Sequence, residues 1–348
     1  MDELTLLRRL DVDAPTPSGR VAADAFAALE QRMAAAERAH VASRRRRRAV
    51  RLRWAALATA GAAALAAALV LTDTIGVAGL RPGATAQAAE LLNQAADAGI
   101  RSVDPTVGPG RYREVVFRSV HQTESGNGRI EGIYSMHEDR TTWIPADPQD
   151  EWTQVRFPTH SAGQYWSRDA EKIAEYDDRL ARTVKPQVLH GKAGDFFGGQ
   201  QLTTPAEVDA LPHDPRVLLN HIYRVTLGTG SSPDGEALVF ISDTLNTGFA
   251  TAPTRAALYR AATLIPGVTV TAHSATLDGT TGVAIGRIEP KYGIRQDLII
   301  DPDTGVLIGE REVATHNLPD SSGKAGDTLS WSSATTTVVD GVPKQYRG

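Results

Sequence analysis

The run VTVTAHSATLDGTTGVAIGRIEPKYGIRQDLIIDPDTGVLIGEREV, residues 268–313, decides the fold. Apolar residues recur at every second position (Val268 and Val270, Val283 and Ile285, Leu298 and Ile300), so successive side chains point to opposite faces of extended chain. Asp278-Gly279 and Asp301-Pro302-Asp303-Thr304-Gly305 carry the residues that tight turns require. Strands are therefore expected at 268–273, 282–288, 294–300 and 306–313, with a fifth at 328–339. Five strands joined by short turns predict an antiparallel meander.

Upstream of this run the pattern changes period. Residues 86–98 (AQAAELLNQAADA) place Leu91, Leu92 and Ala95 on one helical face, with Gly99 as a stop. Residues 111–121 alternate as a strand, and Ser125-Gly126-Asn127-Gly128 signals a hairpin. Further strands are expected at 130–136, 141–144 and 152–157, and a helix at 168–181. Residues 184–201 show little periodicity and predict loop with at most one short strand. A short helix at 205–209 and a longer one at 215–225 precede a flexible loop at 228–235. Helices at 236–249 and 255–264 follow, the second opened by Pro253 and stopped by Pro266-Gly267. The fold class is α+β, a curved antiparallel sheet packed on helices.

The N-terminal fifth of the chain is of another kind. Residues 54–71, WAALATAGAAALAAALVL, carry no charge. At about 1.5 Å per residue they reach roughly 27 Å as a helix, close to a hydrocarbon core of about 30 Å. Arg44, Arg45, Arg46, Arg47, Arg48, Arg51 and Arg53 stand before them, where an excess of cations marks the cytoplasmic flank. Trp54 falls at the interfacial belt, and Leu57, Leu65, Leu69 and Leu71 supply most of the hydrophobic drive. The sequence thus predicts a basic cytoplasmic arm (1–53), a transmembrane helix (54–72), a linker (73–85) and an extracytoplasmic domain (86–348). The seven arginines are expected at the membrane surface, against anionic lipid. Ala84-Thr85-Ala86 matches a signal-cleavage site, but the 53 residues before the apolar run exceed an ordinary signal peptide.

Charge divides along the same line. Residues 1–53 hold 12 Lys/Arg and 7 Asp/Glu, and the remainder 25 and 34. An acidic outer domain argues against nucleic acid as a partner. The chain has no Cys, which excludes disulfides, thiolate metal sites, a Cys nucleophile and a lipid-modified Cys. The arm's small apolar faces (Leu4, Leu7 and Leu10; Phe26, Leu29 and Met33) are too short to fold alone, which leaves residues 1–43 to dock on a cytoplasmic protein partner or stay solvated.

RAALYRAATLIPGVTV (255–270), DGTTGVAIG (278–286), LIIDPDTGVLIGEREV (298–313) and the late Trp331-x-x-x-Thr-Thr-Thr-Val-Val-Asp segment resemble a family of uncharacterised actinobacterial single-pass membrane proteins, often encoded beside sigma factors. The resemblance implies a basic arm, one span and an extracytoplasmic domain similar in outline to lipoprotein-carrier folds. The family has no established activity, so the resemblance carries no catalytic residues; the layout is read as a regulatory or envelope-sensing protein acting by binding, with a tethered lipid- or lipoprotein-binding module as the alternative.

There is no H-E-x-x-H, G-x-S-x-G or G-x-x-x-x-G-K-[ST], so an enzyme is not expected, and no cofactor or metal is. Asp301, Asp303 and Glu312 hold positions one, three and twelve of a calcium loop, but Val306 stands where its glycine belongs, and a β-turn explains them better. Ser321-x-x-Lys324 lies in a loop without its companion motifs; His213 and His221 could meet in space, as could His137 with Glu138 and Asp139, but scattered single histidines are more often surface residues. The residues singled out are aromatic: Tyr112, Phe117, Trp143, Trp152 and Trp166 are candidates to line an apolar cavity if the sheet curves.

Overall fold

The computed structural model describes residues 78–79, 81–102, 104–197, 204–318 and 322–347. The arm, the apolar run at 54–72 and Ser321 lie outside them. Among the described residues no helix is long and apolar enough to cross a membrane.

In chain order the elements are helix α1 (Ala86–Arg101), strands β1 (Tyr112–Gly126), β2 (Glu131–Pro145), β3 (Glu151–Arg156) and β4 (His160–Tyr165), helix α2 (Ala170–Ala181) and strand β5 (Gln187–Lys192). Helices α3 (Pro205–Asp209), α4 (Pro215–Val225), α5 (Pro233–Asn246) and α6 (Ala252–Ala262) follow, then strands β6 (Thr269–Leu277), β7 (Thr280–Glu289), β8 (Ile294–Asp301), β9 (Val306–Ala314) and β10 (Thr328–Val339). The ten strands among the described residues belong to one antiparallel sheet of order β5-β3-β2-β1-β10-β9-β8-β7-β6, with β4 beside β2.

The expected meander is there, β6 to β10 side by side in chain order. Its first hairpin turns on Asp278 and Gly279 alone, both at positive φ (46° and 80°), the geometry that Asp-Gly favours between twisted strands. That tip reaches back across the sheet, where Asp278 Oδ2 accepts hydrogen bonds from Arg118 and Ser333, so the sheet curls on itself. β10 then pairs β1 along nine residues, from Tyr112↔Val339 to Val120↔Trp331, welding the first and last parts of the domain into one sheet.

Four expectations need correction. Gly99 does not stop α1, which runs on to Arg101, because Gly99 does not take the positive φ of a helix-ending glycine and its carbonyl still accepts from the Ser102 amide. The strands expected at 130–136 and 141–144 are one, since the polar residues between them still pair with β1, His137 opposite Val120 and Arg140 opposite Phe117. α5 begins at Pro233, inside the expected loop, capped by Ser232, whose hydroxyl accepts from the Gly235 amide at 2.9 Å. β4 at 160–165 was not expected, whereas β5 is the one short strand allowed within 184–201; both are short and largely solvent-facing.

The helices cover one face. Leu92, Ala95 and Ala96 of α1, Leu218, Leu219 and Ile222 of α4, Leu238 and Ile241 of α5 and Leu258 and Tyr259 of α6 share one core with Ile285, Leu298 and Ile300 of the sheet. A smaller cluster (Ala275, Leu277, Ala284, Ile299 and Ile308) forms beside the curled hairpin. Two buried charge clusters hold the assembly. Asp297, wholly buried, binds Arg295 and Arg311 on its own and the neighbouring strand. Asp234 in the first turn of α5 is 4 % exposed and pairs with Arg81 at 2.9 Å and Arg287 at 3.6 Å, while Tyr223 Oη donates to it at 2.8 Å. Arg81 thereby fastens the entry of the domain to the helical layer.

Candidate functional site

A cavity of about 570 Å³ opens between α5 and the sheet, over β1, β2, β8, β9 and β10. Helical spacing puts Val239, Asp243 and Asn246 on one side of α5, and all three line it. Strand alternation supplies the opposite wall: Val115, Phe117 and Ser119 from β1, Arg140, Thr142 and Ile144 from β2, and Glu310 and Glu312 from β9. Phe249 closes the end of α5, and Ser330, Trp331 and Ser332 come from β10. The wall is apolar around Val115, Phe117, Ile144, Val239 and Phe249. It is acidic around Asp243, Glu310 and Glu312.

The acidic side is held by a short relay. Asn246 Nδ2 donates to Ser332 Oγ at 3.2 Å, and Ser332 Oγ donates to Glu310 Oε1 at 3.0 Å. Glu310 Oε2 is shut off from solvent and meets no donor in hydrogen-bond geometry, and neither does the buried Ser242 hydroxyl. Ser242 and Gln296 stand close enough to act on the carboxyl electrostatically. Burial pushes Glu310 upward from the ordinary carboxyl range, against the pull of Ser242, Ser332 and Gln296, and Glu312 adds to the rise.

Asp243 is exposed to the cavity, yet protein crowds it on most sides. Desolvation first, then the charges of Glu310 and Glu236, push its carboxyl up to about 7. The folded protein therefore holds a proton that the unfolded chain releases at ordinary carboxyl pH. Stability falls as pH rises from near 4 through 7, and the cost is complete above 7. Asp243→Asn removes that cost. Its melting temperature is expected to match the parent's near pH 4 and to exceed it increasingly towards pH 8. A difference that does not grow with pH in thermal melts would show that Asp243 is not strained by its neighbours.

The cationic side chains of the lining are already engaged. Arg140 stacks over Phe117 with its guanidinium carbon 3.6 Å from the ring centre and lies 4.0 Å from Glu138. Burial lowers its pKa, with Glu138 opposing and Arg156 adding to the fall. Arg311 Nε donates to Asp297 Oδ2 at 3.0 Å.

Of the five aromatics expected in a cavity, Phe117 lies in the lining. Tyr112 and Trp143 do not: Tyr112 is an odd number of residues from Phe117, and Trp143 sits between Thr142 and Ile144, so both point to the other face. There they pack with Val155, Val342 and Tyr346, and Trp143 Nε1 donates to Glu114 at 2.9 Å. Trp152 is core, edge-on to Phe249 and Phe196, its Nε1 donating to the Pro148 carbonyl. Trp166 Nε1 donates to Asp327 at 2.9 Å, outside the cavity. Asp243 and Glu310 were not singled out from the sequence, and Glu312 only as the last position of the calcium pattern. The available signals were a carboxylate within an apolar helix, four residues from Val239 and three from Asn246, and two glutamates at the same parity in a strand.

The other sequence candidates are occupied. Asp301 accepts from the Asp303 amide and the Thr304 hydroxyl within its own turn. His213 contacts Thr254 and His221 contacts Arg224. His137 stacks on His160 at 4.7 Å. A second cavity, of about 590 Å³, has its charges satisfied: Asp104 binds Arg255 at 2.6 Å and the Ala252 amide at 2.7 Å, and Arg113 donates to the Gly248 carbonyl.

No family model matches the chain, and no curated protein does. Among solved structures it is similar to the MucA/MucB complex of Pseudomonas aeruginosa, at 10% identity and a TM-score of 0.27, over 76% of this chain and 61% of that one. It is also similar to a DUF1329 family protein from Desulfovibrio piger, at 8% identity and a TM-score of 0.19, over 72% of this chain and 91% of that one. The chain thus spans about three fifths of the first of these. Superpositions this loose transfer neither fold detail nor function.

Proposed function

We propose that this chain is a single-pass membrane protein of the cell envelope whose extracytoplasmic domain acts by binding, as a regulatory or sensing module, with the cavity beneath α5 as its ligand site. The cavity carries the proposal. A space of about 570 Å³ is in the range that small-molecule sites occupy, and it pairs an apolar wall with a few convergent polar groups. The topology rests on the uncharged run at 54–71 and the seven arginines before it, which put the arm in the cytoplasm and the domain outside. In this reading residues 1–43 contact a cytoplasmic protein, the arginine block contacts membrane lipid, and neither nucleic acid nor catalysis is involved. A second reading is a tethered lipid- or lipoprotein-binding module of lipoprotein-carrier outline. The apolar stretch of Val115, Phe117, Ile144 and Phe249 favours it.

Native mass spectrometry of the full chain tests both. Val239→Trp fills the cavity from its α5 side without touching the main core. The parent is expected to retain a bound molecule of a few hundred daltons that Val239→Trp, folded by circular dichroism, does not. Identical bare masses for the two proteins would count against a ligand site here.

A further inference from the structure

The charges that line the cavity are not balanced. Both arginines are committed, Arg140 to Phe117 and Glu138, Arg311 to Asp297. The three carboxylates pair with no cation among the described residues. Asp243 has no hydrogen-bond donor there either, Glu312 has the Ser330 hydroxyl at 3.4 Å, and Glu310 has Ser332 on Oε1 while its solvent-excluded Oε2 meets no donor in good geometry, although Ser242 and Gln296 stand near the carboxyl. A buried acceptor without a donor costs about 1–3 kcal/mol, more when charged, so a ligand that brings N–H groups and positive charge gains there. The apolar wall lies alongside, and it suits a hydrocarbon tail.

We infer that the cavity binds an amphipathic amine, its ammonium group between Asp243 of α5 and Glu310 of β9 and its hydrocarbon part against Val115, Phe117 and Phe249. This rests on the proposal that the cavity is a ligand site and names the chemical class of the ligand. An ammonium group has three donors to share between two carboxylates that come from facing elements, one of them already oriented by Ser332 and Asn246. It also offsets the burial that, with the neighbouring carboxylates adding to it, raises both groups when the site is empty. Binding is therefore pH-dependent. Glu236 on α5 and Glu312 on β9 act on the pair, and the other charged or titratable residues of the lining are Arg311 on β9, Arg140 on β2 and His121 on β1. The carboxylates must ionise to hold the cation, so affinity rises as pH goes from 5 to 8, a range in which an alkylammonium stays protonated.

Calorimetry on the full chain with octylamine, octanol and octanoate separates the possibilities, since the three probes share a tail and differ in head group. Octylamine is expected to bind at least tenfold tighter than octanol at pH 8, with the preference lost at pH 5. Asp243→Asn and Glu310→Gln, each checked for an unchanged fold by circular dichroism, are expected to erase the preference at pH 8. Octanoate binding as tightly as octylamine, or an amine preference that survives both substitutions, would overturn the amine class and leave the ligand site standing. Failure of all three probes to bind, octanol included, would overturn the inference together with the proposal beneath it.

Discussion

Asp297→Ala should cost the domain about 3–5 kcal/mol, the range for removing one partner of a buried ion pair. The carboxylate is fully satisfied. Oδ1 accepts from Thr271 Oγ1 at 2.7 Å and Arg295 Nε at 2.8 Å, and Oδ2 accepts from Arg295 Nη2 at 2.9 Å and Arg311 Nε at 3.0 Å. These bonds cross three strands, β6, β8 and β9, in a region where Asp297 has no solvent contact. Alanine leaves two partly buried guanidinium groups facing each other with nothing between them. For a domain of this size the loss corresponds to a fall in melting temperature of roughly 10 °C. Native stabilities of about 5–15 kcal/mol make it a large fraction of the total. Chemical denaturation gives the number directly, and a loss below about 1 kcal/mol would mean that the arginines re-pair and the cluster is not what holds these strands in register.

The second large effect is expected in chemical reactivity. The chain has no Cys, so a single introduced thiol reports on one position alone. Leu238 and Val239 are neighbours on α5 with opposite surroundings. Leu238 is 1 % exposed in the main core, whereas Val239 faces the cavity. A thiol reacts only as an accessible thiolate. Val239→Cys is expected to react with a small charged thiol reagent at least a hundredfold faster than Leu238→Cys, whose modification must wait for the core to open.

Much of the fold can be read from residues whose role is local. Asp278-Gly279 marks its hairpin because both positions need positive φ, and Asp301 marks its turn because its carboxylate caps the turn's own donors. The meander follows from alternation that needs no partner to be recognised. What stays hidden is what only tertiary context supplies. His137 to Arg140 read as a break, yet they are mid-strand because His160 and Phe117 give them partners from elsewhere in the chain. Trp143 and Tyr112 are the right residue types for a cavity wall, but strand parity sends them to the other face, and parity becomes readable only when the strand limits are known. Asp243 and Glu310 are 67 positions apart, and nothing in either neighbourhood announces that a helix and a strand bring them to one cavity.

Binding requires that cavity to be an open, ligand-accessible space, and the thiol comparison tests this most directly when done with and without octylamine on the folded full chain. Fast labelling at Val239→Cys, slow labelling at Leu238→Cys and protection of the first by the amine are the predicted result. Equal, slow labelling at both positions would mean that α5 is packed flat on the sheet, and that the protein recognises its partners in some other way.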